Sequence, residues 1–122
     1  MSPYIGNLSF IREIVLATNT IGGKIPDEVG CLYRFQVLWL SNNSFQEEIP
    51  ANLSHCSNLK ILRVGGNNLS GLIPKELASL SKLEFLAIRE NNIKGGIPPF
   101  IGNFSSIQIL SAGENNFLEM MK

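Results

Sequence analysis

The sequence predicts an α/β solenoid of about five coils, each 24 residues long, because two features recur at that interval. An asparagine marks every coil, at Asn19, Asn43, Asn67, Asn91 and Asn115. An isoleucine–proline step keeps the same interval, at Ile25-Pro26, Ile49-Pro50, Ile73-Pro74 and Ile97-Pro98. A fixed period of about 20 to 50 residues is the sequence signature of stacked repeats.

Alternating apolar residues before each asparagine predict one short β-strand per coil. In the third coil these are Leu62 and Val64, and in the fourth they are Leu86 and Ile88. Side chains alternate sides along a strand, so such a pair buries one face of it. We therefore expect a parallel β-sheet of strands three or four residues long on the concave face of the solenoid.

The residues after each strand predict how the chain turns and returns. An asparagine carboxamide both donates and accepts hydrogen bonds, so one per coil is expected to stack into a ladder. Isoleucine then refills the core, and proline lies where no N–H is needed. We expect 3₁₀ or short helical segments on the convex side. Glu47 replaces the glycine of coils one, three and four, and a glutamate can be accommodated there if its φ stays negative.

Composition excludes several functional classes. The 122 residues include ten basic and ten acidic side chains, with no clustered basic surplus of the kind that binds nucleic acid. No apolar run approaches the roughly 20 residues of a membrane helix. The single histidine, His55, is expected at the surface, and no metal-ligand or phosphate-loop spacing occurs. We predict no catalytic residue, metal or cofactor.

The pattern predicts a single repeat domain over residues 1–122, without a signal peptide, membrane helix or kinase domain. The repeat is already present in the first residues, and the last coil loses its isoleucine–proline step. Terminal coils of a solenoid normally carry a polar outer face. We therefore expect a piece of a longer array or the product of a truncated gene, with a short adaptor as the alternative.

The two cysteines occupy neighbouring coils at positions one residue out of register. Cys56 takes the place of a core leucine, whereas Cys31 is expected to face outward. Their side chains should diverge, which disfavours a disulfide without excluding one.

Five sequons fit N-x-[ST], the acceptor signature of glycosylation in secreted proteins. The candidate acceptors are Asn7, Asn42, Asn52, Asn68 and Asn103. The alternative is that asparagine and serine are simply favoured at turns.

The outward strand positions of the middle coils predict a ligand-binding surface. Its candidate residues are Val37, Trp39, Arg63, Phe85, Arg89 and Glu90. Tryptophan and arginine dominate interface hot spots. The alternative is that Trp39 packs flat on its neighbours and the charges are only solvated. A glycan on Asn42, which lies on the same face, would obstruct this surface.

The extended phrase N-x-L-x-G-x-I-P resembles the plant-specific leucine-rich repeat class over nearly the whole chain, from about Ser2 to Phe117. The run from Glu90 to Asn103 is similar to ectodomains of plant leucine-rich-repeat receptor-like serine/threonine kinases, particularly the elongation factor Tu receptor subfamily. That resemblance implies extracellular ligand sensing by the inner, strand-lined face. It implies kinase activity only for a full-length member.

The expected function is a ligand-sensing segment of such a receptor, in immune or developmental signalling. It would bind a protein or peptide ligand, and a co-receptor, on the outer side of the plasma membrane. The alternative is a secreted inhibitor or adaptor of the polygalacturonase-inhibitor kind, and a cytosolic scaffold is a third candidate.

Overall fold

Each coil of the computed structural model contains a three-residue strand followed by a second short strand, and 3₁₀ helices connect successive coils. The structure describes residues 1–95 and 106–117. In chain order the elements are η1 (Pro3–Asn7), β1 (Glu13–Val15), β2 (Gly22–Lys24), η2 (Asp27–Cys31), β3 (Val37–Trp39), β4 (Ser44–Glu47), η3 (Ala51–His55), β5 (Ile61–Arg63), β6 (Asn68–Leu69), η4 (Lys75–Ser79), β7 (Phe85–Ala87), β8 (Lys94–Gly95), β9 (Ile109–Ser111) and β10 (Asn116–Phe117), where η denotes a 3₁₀ helix.

The predicted parallel sheet is confirmed, with strand order β1-β3-β5-β7-β9. Residues 24 apart in sequence are direct partners, as Leu38 is with Leu62 and Leu62 is with Leu86. These central residues are fully buried, while the residues on either side of them face outward. The 24-residue interval therefore places equivalent side chains of successive coils next to one another.

Helices η2, η3 and η4 begin directly after proline, and the prediction of short helical connections is confirmed. Pro26, Pro50 and Pro74 each precede a five-residue 3₁₀ helix and have φ between −71° and −62°. Proline fixes φ in this range and needs no hydrogen-bond acceptor for its nitrogen. Each of these three helices buries one apolar side chain: Val29 in η2, Leu53 in η3 and Leu77 in η4. Among the described residues, no helix has the length and hydropathy that a membrane span requires.

A second set of strands follows the asparagine turn, and the sequence did not predict it. Strands β2, β4 and β6 form a three-stranded parallel sheet, and β8 pairs with β10. Exposed residues such as Gly22, Ser44 and Asn68 occupy these strands, so they lack the alternation of apolar residues that marks a half-buried strand. Their pairing depends on stacking and not on a local apolar pattern.

The asparagines form a hydrogen-bonded ladder through the interior. Nδ2 of Asn67 donates to the carbonyl of Leu40 in the preceding coil at 2.9 Å and to that of Val64 in its own coil at 2.9 Å. Its Oδ1 accepts from the backbone N–H of Phe45 at 3.0 Å. Asn43, Asn91 and Asn115 make the equivalent bonds. Each carboxamide thus satisfies backbone groups of two coils.

Glu47 does not keep a negative φ, since its φ is +66°. It adopts the left-handed conformation of Gly23, Gly71 and Gly95 at the equivalent position. The backbone path of the turn is therefore set by stacking against neighbouring coils, and glutamate accepts a conformation that favours glycine.

Both cysteines are free thiols. Cys56 is fully buried and its Sγ donates to the Val29 carbonyl at 3.2 Å, whereas Cys31 is exposed at the end of η2. Burial, and to a lesser extent the nearby Cys31, raises the pKa of the Cys56 thiol from 9.0 to about 11. Cys56 therefore stays protonated at neutral pH and acts as a small core residue.

Replacing Asn67 with alanine should lower the free energy of unfolding by about 2–4 kcal/mol, because it leaves the Phe45 N–H without its acceptor and removes the bonds that Nδ2 donates to the Leu40 and Val64 carbonyls. The matched control is Asn19→Ala. Asn19 is exposed, and among the described residues its side chain donates hydrogen bonds to Leu16 and Ala17 of its own coil. We therefore expect its replacement to lower the free energy of unfolding by less than about 1 kcal/mol. Urea unfolding followed by circular dichroism measures both. Equal losses would contradict the between-coil role of the ladder.

Replacing Glu47 with glycine should raise the free energy of unfolding by up to about 1 kcal/mol, because glycine reaches a φ of +66° without steric cost. Gln46→Gly, one residue earlier in β4, should instead lower it by about 0.5–1 kcal/mol through the flexibility that glycine adds to the unfolded chain. Thermal unfolding of the two variants checks the difference in sign. Destabilisation by both glycines would argue against strain at Glu47.

Candidate functional site

The candidate site lies on the strand face, defined here as the outward side chains of the five-stranded sheet. In β3, β5 and β7 the first and third residues are half-buried and flank a fully buried leucine. The strand face consists of Glu13, Val15, Val37, Trp39, Ile61, Arg63, Phe85, Ala87, Ile109 and Ser111. Because strand side chains alternate, none of these residues contributes to the leucine core behind the sheet.

A cation–π sandwich occupies the centre of the strand face. The guanidinium carbon of Arg63 lies 4.0 Å from the centre of the Trp39 ring and 5.0 Å from that of the Phe85 ring. Register produces this contact, since Trp39 is paired with Arg63, while Phe85 is paired with Ile61 two residues before Arg63. Arginine over an aromatic face is worth about 0.5–2 kcal/mol, depending on desolvation.

The sandwich shields part of the arginine from water. Nε of Arg63 is buried and has no hydrogen-bond partner. An unsatisfied buried donor costs roughly 1–3 kcal/mol, so the two ring contacts have to offset that cost. The side chain is thereby held in one place while the residue as a whole is only half-buried.

A second cluster of charges lies just beyond the ends of β7 and β9. Arg89 donates from Nη2 to Glu114 at 2.5 Å, and its Nε lies 3.7 Å from a carboxylate oxygen of Glu90. The hydrogen bond that Arg89 donates to Glu114, together with the charges of Glu114 and Glu90, raises the pKa of Arg89 above its ordinary value. All three side chains are more than half exposed, so this network contributes little to stability.

The predicted surface residues therefore fall into two groups. Val37, Trp39, Arg63 and Phe85 come together on the strand face, whereas Arg89 and Glu90 belong to the second cluster. Sequence reasoning missed Glu114. The sequence does contain a signal for it: Glu114 immediately precedes Asn115 just as Glu90 immediately precedes Asn91, so the two glutamates hold equivalent positions in neighbouring coils.

Trp39 packs against the charged group of Arg63, which lies 4.0 Å from the centre of its ring. The result is a half-buried, ordered cation between two rings, which differs from the solvated surface charge of Arg89.

The candidate glycosylation sites are at the surface wherever the structure describes them. Asn7, Asn42, Asn52 and Asn68 are exposed, and Asn103 lies outside the described residues. The Asn42 side chain lies against the next coil, where a Cβ added to Gly66 would come within 2.3 Å of Asn42 Oδ1. Asn42 therefore packs against Gly66 in the turn that follows β5.

The described residues offer no catalytic or metal-binding geometry. No group of three or more histidine, cysteine, aspartate or glutamate side chains in residues 1–95 and 106–117 could hold a metal ion. His55 is exposed at the end of η3, and the buried Cys56 is protonated at neutral pH. What this arrangement can do chemically is bind a partner through stacked rings and a fixed guanidinium.

Known proteins share this architecture. The leucine rich repeat family model matches residues 33–93, half of the chain. The curated relative LRR receptor-like serine/threonine-protein kinase EFR of Arabidopsis thaliana is 56% identical over 36 residues, which make up 30% of this chain and 4% of that protein.

Solved structures of plant receptors are similar over 96% of this chain. The ectodomain of the receptor kinase GASSHO1/SCHENGEN3 from Arabidopsis thaliana, in complex with CASPARIAN STRIP INTEGRITY FACTOR 2, superposes with a TM-score of 0.93 at 37% identity. The Arabidopsis receptor kinase HAESA, in complex with the peptide hormone IDA and the co-receptor SERK1, gives 0.91 at 29% identity. The chain spans only 14% and 20% of those two chains.

The asparagine ladder, the parallel strands and the matched family model describe one architecture, which these receptor ectodomains share. The chain belongs to the leucine-rich repeat family.

Proposed function

We propose that this chain is a ligand-binding segment of a plant leucine-rich-repeat receptor kinase ectodomain, and that its strand face binds a peptide or protein. The observation that carries the proposal is the sandwich of Arg63 between Trp39 and Phe85. Rings and a guanidinium of this kind are the side chains most enriched in binding hot spots.

Pre-organisation makes the sandwich suited to binding. An exposed arginine loses rotamer freedom when a partner fixes it, at about 0.5–1.5 kcal/mol per side chain. Arg63 is already held between two rings before any partner arrives. Its planar group can bind a carboxylate or carbonyl of a ligand with defined geometry, while Val37 and Ile61 supply apolar area beside it.

The size of the strand face limits what this segment binds alone. Five strands spaced by about 4.8 Å span roughly 19 Å. Protein interfaces usually bury around 800 Å² on each partner. We infer that the chain contributes part of a longer binding surface in the complete receptor.

Similarity to solved receptors supports the finer assignment. The GASSHO1/SCHENGEN3 and HAESA ectodomains were each solved with a bound partner, and the HAESA structure includes a co-receptor. By analogy we place this chain on the extracellular side of the plasma membrane, with a peptide ligand and a co-receptor as partners. The similarity to EFR supports a serine/threonine kinase in the complete protein. We propose immune or developmental signalling as the role of that complete protein.

A random peptide library selected on the 122-residue chain should yield binders that depend on the sandwich. We expect Trp39→Ala and Arg63→Ala each to weaken them about tenfold or more, as removal of a hot-spot side chain does. Fluorescence anisotropy of the selected peptides measures the affinity, and circular dichroism checks that the fold is retained.

Two controls separate this effect from a general loss of surface. Tyr4→Ala removes an aromatic ring that is 78% exposed in η1, and Lys75→Gln removes an exposed cation in η4. Neither should change the affinity. Peptides that keep full affinity for a Trp39→Ala/Arg63→Ala double variant would place the contact elsewhere.

Extracellular placement predicts a glycan on Asn7, because Asn7 is exposed at the end of η1 and begins an N-x-S sequon. Mass spectrometry of the protein purified from plant tissue should find sugar on the peptide that contains Asn7. Ser9→Ala should abolish it while keeping the asparagine. Bare asparagine at all five sequons would contradict passage through the secretory pathway.

A further inference from the structure

The edge of the sheet where the strands begin carries one cation per coil over four successive coils. These are Arg12, Arg34, Lys60 and Lys82, and all four are exposed. Arg12 and Lys60 directly precede β1 and β5, while Arg34 and Lys82 each end the turn that leads into β3 and β7. We call this set, together with Phe10 and Tyr33, the leading edge.

The cations form two rows that follow the stacking of the coils. Arg12 and Lys60 hold the same position in coils one and three, and Arg34 and Lys82 hold another in coils two and four. Paired strands lie about 4.8 Å apart, so within each row the backbone spacing is about 9.6 Å.

Backbone hydrogen bonds fix that spacing. The carbonyl of Arg12 accepts from the N–H groups of both Gln36 and Val37, at 2.7 and 3.1 Å. The carbonyl of Lys60 accepts from those of Glu84 and Phe85 in the same way, at 2.8 and 3.1 Å. The backbone of the row formed by Arg12 and Lys60 is therefore hydrogen-bonded to the sheet.

These cations are available to a partner. The ion pairs recorded among residues 1–95 and 106–117 all involve Arg89, so none of them neutralises the leading edge. Arg34 lies 5.6 Å from the centre of the Tyr33 ring, and Lys82 donates to Asn58 at 2.8 Å. Neither the ring nor the carboxamide carries a charge that would oppose the cation.

Two exposed rings accompany the charges. Phe10 is 67% exposed and Tyr33 is 55% exposed, and neither belongs to the core. Phe10 holds in coil one the position that Arg34 holds in coil two. Glu84 holds in coil four the position that Arg12 and Lys60 hold in coils one and three, and Glu13 directly follows Arg12. The four cations of the leading edge outnumber these two carboxylates, so its charge is positive overall.

Peptide geometry narrows the kind of partner. A polyproline II helix has three residues per turn and rises about 3.1 Å per residue, so every third side chain recurs on one face at about 9.3 Å. An extended β-strand repeats its face every two residues, at about 6.7 Å. Only the first spacing matches the cation rows, and exposed aromatic rings are the surfaces on which polyproline II helices dock.

We propose that the leading edge binds an acidic peptide segment in the polyproline II conformation, with a carboxylate at every third residue. This contact is distinct from the strand face, because it uses side chains that lie before the strands. Carboxylates of the peptide pair with Arg12 and Lys60, or with Arg34 and Lys82, while its prolines lie on Phe10 and Tyr33.

A fluorescein-labelled peptide of four Glu-Pro-Pro triplets tests the proposal by fluorescence anisotropy on the 122-residue chain. We expect saturable binding that weakens as salt screens the charges. Arg12→Gln/Lys60→Gln should weaken it roughly fivefold, the scale of two exposed ion pairs. Lys75→Gln/Lys94→Gln removes the same charge from η4 and β8, and should leave the affinity unchanged.

Two further experiments test the conformation of the peptide and the sign of the charges separately. Four Glu-Gly-Gly triplets carry the same charge without a preformed polyproline II helix, and should bind more weakly. Arg12→Glu/Lys60→Glu should instead bind four Lys-Pro-Pro triplets. Trp39→Ala should leave all of these affinities unchanged, which keeps this result separate from the strand face.

The proposal is overturned if the Glu-Pro-Pro peptide does not bind at millimolar concentration, or if the Lys75→Gln/Lys94→Gln control loses as much affinity as the edge variant. Equal binding of the Glu-Gly-Gly peptide would refute the conformational match. If an acidic oligosaccharide such as oligogalacturonate binds and the peptide does not, the proposal of a peptide ligand is wrong and the partner is an acidic polysaccharide.

Discussion

The fold depends on one carboxamide per coil that completes the hydrogen bonding of the coil before it. Asn67 joins the Leu40 carbonyl and the Phe45 N–H of the second coil to the Val64 carbonyl of the third. These backbone groups face the interior, where the apolar side chains around them cannot form hydrogen bonds. A coil is therefore satisfied only in the presence of another coil, and stability becomes a property of the stack.

The same stacking determines the surfaces. Residues 24 apart in sequence are direct neighbours, so equivalent residues of successive coils form a column across the strand face. Each side chain therefore contacts side chains of the coils on either side. Arg63 is sandwiched because the second coil has Trp39 in its column and the fourth has Phe85 two residues earlier. The leading edge follows the same rule in columns that lie before the strands. Function in such a scaffold can change by substitution within a column, while the core remains intact.

Much of this architecture could be predicted from the sequence, because the strand and the buried leucines repeat with a simple period. Cys56 was predicted as a core residue since it occupies a leucine position, and it is fully buried. The second sheet was not predicted, because Ser44 and Asn68 pair through their backbones and carry no apolar signal. The φ of Glu47 was missed for a related reason, since its conformation is imposed by neighbouring coils. The contact of Arg89 with Glu114 required the register between two exposed loops, which periodicity alone does not supply.

Trp39 is the one tryptophan of the chain, and it lies in the sandwich at the centre of the strand face. Indole emission responds to the polarity and to the charges beside the ring. The protein thus carries an intrinsic optical reporter on the strand face, and displacement or covering of Arg63 changes the environment of that single fluorophore. Any candidate partner of the strand face can be titrated without a label attached to either molecule.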